Sequence, residues 1–151
     1  MTQNTPLFRS IIVQTVADLM TTDLMTLDKD ASLTEAKQLM QEHNIRNLPI
    51  VDNDGKWTGM LTQREYLRCA FNLVSQYGTK LLSKKESDTS VANIMCTDMV
   101  SLEKDTPLET AAELLIKKKY ACIPIVDQGM LVGILTPIDF VKLVHNLKLD
   151  K

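Results

Sequence analysis

Leu48-Pro49-Ile50-Val51-Asp52 decides the architecture, because it returns 75 residues later as Ile123-Pro124-Ile125-Val126-Asp127. Outward from that pair, at the same offset, Val16-Ala17-Asp18-Leu19-Met20-Thr21-Thr22-Asp23 meets Val91-Ala92-Asn93-Ile94-Met95-Cys96-Thr97-Asp98, and Ala36 meets Ala111. After a one-residue deletion the offset becomes 74, and Gly55, Gly59, Leu61 and Thr62 fall on Gly129, Gly133, Leu135 and Thr136. Self-similarity at a fixed period marks a duplicated structural unit. The two copies span residues 12–68 and 87–146, flanked by an N-terminal extension (1–11), a connector (69–86) and a C-terminal tail (147–151).

Each copy reads as mixed α/β in the order strand, helix, strand, strand, helix. Ser32-Leu33-Thr34-Glu35 and Thr106-Pro107-Leu108-Glu109 have the form of capping boxes, in which the hydroxyl takes an orphan N–H and the Glu reaches back to the cap. Pro107 would stand at the first helical position, where no donor is needed. Leu33, Ala36, Leu39 and Met40, and likewise Leu108, Ala111, Ala112, Leu114 and Leu115, recur at helical spacing. The two short apolar runs suit buried strands. Asp52–Gly55 and Asp127–Gly129 supply turns, and Trp57–Leu61 and Leu131–Leu135 return as partner strands. Thr62 and Thr136 then open the second helices. In the connector, Cys69–Val74 continues a helix, Gln76-Tyr77-Gly78 breaks it, and Ser83–Asp88 reads as a solvated linker.

Of the 151 residues, 44% are apolar and 24% charged, an ordinary globular balance. The net charge of −2 opposes general nucleic-acid binding, which rests on neutralising phosphates. No apolar run approaches the ~18 residues of a membrane span. The opening MTQNTPLFRSIIV has neither a basic start nor a long apolar stretch, so no signal peptide is expected. Cys69, Cys96 and Cys122 form neither a disulfide framework nor a zinc pattern, and reduced thiols in a cytoplasm are the simplest reading. There is no G-x-S-x-G, H-E-x-x-H or phosphate-binding loop. His43 and His145 occupy unrelated contexts near helix ends, and Lys117-Lys118-Lys119 suits a solvated helix C-terminus. No catalytic residues, metal site or catalytic cofactor is expected.

The second helices carry the one chemical signal. Both open with a T-x-x-acid box, Thr62-Gln63-Arg64-Glu65 and Thr136-Pro137-Ile138-Asp139. Glu35, Glu65 and Glu109 are long enough to reach back to their caps. Asp139 is shorter, and the spacing predicts that it faces outward. Two carboxylate oxygens can accept the two hydroxyl protons of a ribose diol. The Thr136 hydroxyl and the helix N–H groups would favour a phosphate displaced from Asp139 itself.

Two copies of h-x-x-[IL]-M-…-h-P-I-V-D-…-G-x-x-x-G-h-L-T-x-x-[DE] resemble the CBS (cystathionine β-synthase) domain family, over nearly the whole chain from Ile12 to Asn146. Gly133-Ile134-Leu135-Thr136-Pro137-Ile138-Asp139-Phe140 is typical of it. The resemblance implies an α+β pair of β-α-β-β-α repeats packed with pseudo-twofold symmetry, a stand-alone Bateman module that commonly forms homodimers. It also implies two clefts for an adenosyl ligand such as AMP, ADP, ATP or S-adenosylmethionine. In one, Asp139 would hold the ribose and Thr136 would sit near the α-phosphate. Ile134 and Ile138 would line the wall, Met20, Met25 and Ile45 would meet the base, and main chain at Arg46, Asn47 and Leu48 would read its edge. In the weaker reciprocal cleft, Thr62 and Glu65 take the sugar positions and Arg46 and Arg64 reach phosphate. Met95, Val100, Tyr120, Ala121 and Cys122 face the base there. Glu65 departs from the usual Asp, and Ala121 stands where a basic residue is common.

Two functions follow as expectations. The first is a non-catalytic sensor whose adenosyl ligand shifts the shape read by a protein partner. The second is a dimerisation or protein-interaction module with empty clefts.

Overall fold

The computed structural model describes residues 14–147. The expected N-terminal extension, the whole of the opening MTQNTPLFRSIIV and residues 148–151 of the tail lie outside the described residues. The fold is mixed α+β, with two three-stranded sheets ordered β1-β2-β3 and β4-β5-β6. In chain order the elements are α1 (Val16–Leu19), β1 (Leu27–Asp28), α2 (Leu33–His43), β2 (Asn47–Val51), β3 (Trp57–Thr62), α3 (Gln63–Tyr77), α4 (Leu82–Asp88), β4 (Leu102–Glu103), α5 (Leu108–Lys118), β5 (Ile123–Asp127), β6 (Met130–Leu135) and α6 (Pro137–Leu147). Short 3-10 turns occupy Thr79–Leu81 and Val91–Asn93. Each copy thus has the expected strand-helix-strand-strand-helix order. Among the described residues, no helix is long and apolar enough to cross a membrane.

The chain forms two compact units, and they do not coincide with the two copies. Residues 25–99 and 129–131 make the β1–β3 unit, and residues 14–24, 100–128 and 132–147 make the β4–β6 unit. In the β1–β3 unit, β1 runs parallel to β2, and β2 runs antiparallel to β3 with Leu48 opposite Leu61. Its core is Leu33, Ala36, Met40, Leu48, Ile50, Leu61 and Val91. In the β4–β6 unit, β4 runs parallel to β5, and the core is Val16, Ala111, Ile123, Ile125 and Leu135. Val16 and Val91 are counterparts in the repeat, yet each completes the core built by the other copy's sheet. A buried aliphatic side chain of this size contributes roughly 1.5–3 kcal/mol, so both exchanged turns are firmly anchored.

The helices begin largely as their sequences dictate. The Ser32 hydroxyl accepts the Glu35 N–H at 3.2 Å, and Glu35 accepts the Ser32 N–H at 2.8 Å, a complete capping box. The expected box at Thr106–Glu109 does not form: Pro107 takes the cap position, with no side-chain cap bond. Residues 14–16 lie alongside instead, so the Leu108 N–H donates to the Gln14 carbonyl and the Thr106 carbonyl accepts the Val16 N–H. The solvated linker expected at Ser83–Asp88 is helical. It forms most of α4, whose Glu86 is 2% exposed. Gln128 and Gly129, at φ 52° and 86°, join β5 to β6 in the two-residue turn with positive φ at both positions that matches strand twist. His43 ends α2, His145 lies in the last turn of α6, and Lys117 and Lys118 close α5.

Candidate functional site

The centre of the β4–β6 unit is the junction of β6 and α6. Thr136 follows the last strand residue, Leu135, Pro137 starts the helix without needing a donor, and Asp139 follows in the first turn. Asp139 is 4% exposed. Its Oδ2 accepts the Thr136 N–H at 2.9 Å and the Thr136 hydroxyl at 3.4 Å, while its Oδ1 accepts the Thr21 hydroxyl at 2.9 Å. The expectation that this short carboxylate faces outward is therefore corrected. Asp139 turns back onto its cap, because at the third helical position even the shorter side chain reaches the cap N–H. Its second oxygen is taken by a hydroxyl from the far end of the chain.

Thr21 is held there by backbone pairing. Its N–H donates to the Ile134 carbonyl at 2.8 Å, and the Ile134 N–H donates to the Thr21 carbonyl at 3.0 Å. The approach is possible because residue 133 is glycine: a Cβ there would collide with the Met20 side chain and lie 3.1 Å from the Thr21 carbonyl oxygen. Met20, Thr21, Ile134, Thr136 and Asp139 are thus brought together. Ile138 is exposed, on a stripe with Val141 and Val144. Thr21 is absent from the sequence-derived site; its signal was its place beside Met20 in the repeat. Thr15-Val16-Ala17-Asp18 forms a further box of the same kind. Asp18 accepts the Thr15 N–H at 3.0 Å and the Thr15 hydroxyl at 3.2 Å, the same geometry as Thr136–Asp139. Backbone N–H groups of Gln14 and Thr15 hold its carboxyl below the ordinary 3.8.

The counterpart junction in the β1–β3 unit differs in both chemical partners. Thr62 caps α3, its hydroxyl accepting the Glu65 N–H at 3.1 Å. Glu65 pairs with Arg68 at 3.6 Å, so the expected reach back to its cap is not made. Cys96 takes the place of Thr21, exchanging backbone bonds with Met60 at 2.8 and 2.9 Å, and Met95 packs over Gly59 as Met20 does over Gly133. A thiol and a longer acid stand where the other unit has a hydroxyl and an aspartate. Thr62, Arg64, Glu65 and Met95 lie in this unit, whereas Val100, Tyr120, Ala121 and Cys122 lie in the β4–β6 unit. Cys122 is buried, and burial together with the nearby Asp139 carboxylate pushes its thiol up to about 12.

Met25, Ile45, Arg46, Asn47 and Leu48 also belong to the β1–β3 unit. The Leu48 side chain is fully buried in its core, and Met25 is exposed. β1 pairs only with Ile50 and Val51 of β2, which leaves the main chain of Asn47 and Leu48 beyond its end. Ile45 and Arg46 line a cavity of about 410 Å³ between α2 and α3. A second polar cluster, unforeseen in the sequence, lies in this unit: the buried Glu86 accepts the Tyr66 hydroxyl at 2.5 Å and lies 3.7 Å from the Lys37 ammonium. Burial and this carboxylate push the Tyr66 phenol up. Among the described residues, no group of three or more His, Cys, Asp or Glu side chains converges as metal ligands would.

Comparison with known proteins gives this geometry a setting. The family model described as CBS domain matches residues 16–72 and 91–146. The "CBS domain-containing protein YhcV" of Bacillus subtilis is 34% identical over 81% of this chain and 79% of its own length. Several other relatives are larger proteins, of which this chain spans less than half. Among solved structures, CBSX2 of Arabidopsis thaliana in complex with AMP is 31% identical, with a TM-score of 0.74 over 89% of this chain and 98% of that one. The CBS domain pair of protein MJ0100, in complex with 5-methylthioadenosine and S-adenosyl-L-methionine, is 26% identical, with a TM-score of 0.67 over 87% and 96% of the two chains.

Proposed function

The chain belongs to the CBS domain family, and from that premise we propose that it is a non-catalytic regulatory module that binds an adenosyl ligand, AMP, ADP, ATP or S-adenosylmethionine, with the ribose on Asp139. The observation that carries the reading is the Thr21–Asp139 pair. A buried carboxylate, fixed by its own cap through one oxygen, already receives a hydroxyl through the other. A ribose hydroxyl makes the same bond to the same oxygen, so the Thr21 hydroxyl holds its place. Structural relatives bound to AMP and to S-adenosyl-L-methionine support the ligand class. The junction at Thr62 and Glu65 is the weaker candidate, because Cys96 and the Arg68-paired Glu65 replace that hydroxyl and aspartate.

Titration calorimetry with AMP tests the assignment. Asp139→Ala should lose at least about tenfold in affinity, the loss expected when a charge-assisted hydrogen bond is removed; equal affinity in mutant and wild type overturns it.

The second reading is a self-association module, favoured by Ile138, Val141 and Val144 on α6 and by Leu67 and Phe71 on α3, all exposed. Stripes of this kind suit burial by a second copy, and the two readings are compatible. Val141→Glu should convert a dimer to a monomer in sedimentation. A wild-type monomer that gains stability from AMP would leave only the first reading. The ligand-free module stands alone if no adenosyl compound raises the melting temperature, since free ligand at ~100 times Kd adds about 2.7 kcal/mol.

A further inference from the structure

The Thr21–Asp139 pair lies wholly within the β4–β6 unit, and its hydrogen bonds limit what a sugar can offer it. A carboxylate has about four acceptor sites, two on each oxygen. Asp139 Oδ2 is turned into the α6 cap, where it accepts the Thr136 N–H at 2.9 Å and the Thr136 hydroxyl at 3.4 Å. Oδ1 accepts the Thr21 hydroxyl at 2.9 Å. While Thr21 is bound, Oδ1 therefore has a single acceptor site open. The paired backbone bonds between Thr21 and Ile134, at 2.8 and 3.0 Å, fix the Thr21 main chain and keep its hydroxyl within reach of Oδ1.

A ribose carries two hydroxyls on neighbouring carbons, and the α6 cap closes the arrangement in which each carboxylate oxygen takes one of them. Both hydroxyls then fall to Oδ1, and the second reaches it only in place of Thr21. A 2′-deoxy or 3′-deoxy sugar has one hydroxyl, which fits the acceptor site already open. We propose that Thr21 is a specificity-determining residue: its hydroxyl opposes a second sugar hydroxyl on Asp139, which narrows the preference for ribose and admits deoxyadenosyl as well as adenosyl ligands. The inference rests on the adenosyl reading above and adds to it the class of sugar. In the β1–β3 unit Cys96 stands at the place of Thr21. A thiol donates only weakly, so that natural counterpart supplies a graded substitution for the test.

The test is calorimetry of the full chain with AMP and with its 2′-deoxy and 3′-deoxy forms, in wild type, Thr21→Val, Thr21→Cys and Thr21→Ser. The quantity read is the ratio of the deoxy-AMP dissociation constant to that of AMP. Thr21→Val should raise this ratio about two- to tenfold by tightening AMP alone, the worth of one neutral hydrogen bond. Thr21→Cys should fall between wild type and Thr21→Val, and Thr21→Ser, which keeps the donor, should match wild type. The inference is overturned if the ratio in Thr21→Val rises by less than about twofold, or if that variant binds AMP more weakly than wild type. It is also overturned if Thr21→Ser behaves like Thr21→Val, because side-chain shape would then be the cause. Should Thr21→Val fail to fold, Thr21→Cys carries the test, and a ratio equal to that of wild type is then the overturning result. AMP that binds neither wild type nor Asp139→Ala, or both alike, removes the adenosyl reading and this inference together. AMP binding that depends on Asp139 without the change in ratio removes this inference alone.

Discussion

The Thr21 hydroxyl donates to Asp139 Oδ1 at 2.9 Å across 118 positions of sequence. The bond joins a residue before the first sheet to the first turn of the last helix. It occupies one acceptor site on the carboxylate oxygen that the helix cap leaves open. A ligand hydroxyl that takes the same acceptor site on Oδ1 displaces Thr21.

Thr21→Val removes the competing donor while keeping the shape of the side chain. AMP should bind more tightly, by up to about tenfold, the factor that corresponds to a competing bond worth about 1.4 kcal/mol. The unliganded protein should be less stable, because Asp139 loses a partner. Calorimetry and thermal melts check both. Loss of AMP binding in this variant would show that Thr21 is a ligand contact and not a placeholder.

Gly133→Ala and Gly59→Ala place a methyl group against Met20 and Met95 respectively, each with a backbone carbonyl within 3.1 Å behind the side chain. The methionine can swing aside but the strand cannot. We expect each to cost about 1–3 kcal/mol in urea denaturation, the usual range for overpacking. Gly133→Ala should also tighten AMP binding, as Thr21→Val does, since it pushes the competing Thr21 hydroxyl from Asp139. A Gly133→Ala protein as stable as wild type would contradict the close approach.

Tyr66→Phe leaves the buried Glu86 with Lys37 alone. A stability loss of about 1–3 kcal/mol at pH 7 is expected from an undersatisfied buried carboxylate. Alkali gives a second readout. The phenol is held above its ordinary 10.0 in the folded state, so folding favours its protonated form. That contribution is complete below pH 10 and disappears as pH rises beyond it. Stability of the wild type should fall in that window and that of Tyr66→Phe should fall less. Identical alkaline profiles would rule out the bond.

Cys122 is buried and its thiol is pushed up to about 12 by burial and by Asp139. The thiolate is the reactive form, so at pH 8 Ellman's reagent should spare Cys122 in the native protein and reach it in denaturant. Mass spectrometry of the labelled peptides locates the modification. Rapid native labelling at Cys122 would place it at an open surface.

The repeat in the sequence led directly to the alternation of elements, because strand runs, turn glycines and helix boxes are all local signals. Ser32–Glu35 and the turn at Gln128-Gly129 form as their residue types require. The departures arise where distant chain enters. Thr106 loses its cap role because residues 14–16 pair beside it, and no pattern within residues 106–109 encodes that neighbour. Ser83–Asp88 is polar enough to read as linker, yet Tyr66 and Lys37 supply the partners that let Glu86 be buried in a helix. The candidate site shows the same division. Thr136 and Asp139 were visible as a motif, but Thr21 completes the arrangement from another part of the chain, and the direction of the Asp139 carboxylate depends on it.

The exchange of residues 16–21 and 91–96 between the two sheets bears on how such a molecule can be divided. A fragment ending near residue 80 would keep β1–β3 but lack Val91 and Met95, the pieces that close its own interior. It would also carry Val16 and Met20 with no native sheet to receive them. Two identical fragments could satisfy each other by trading these segments, so a gene for one copy would encode a partner-dependent half. Joining two such genes makes that exchange internal to a single polypeptide. It also frees the halves to diverge, as Thr21 and Cys96 have done.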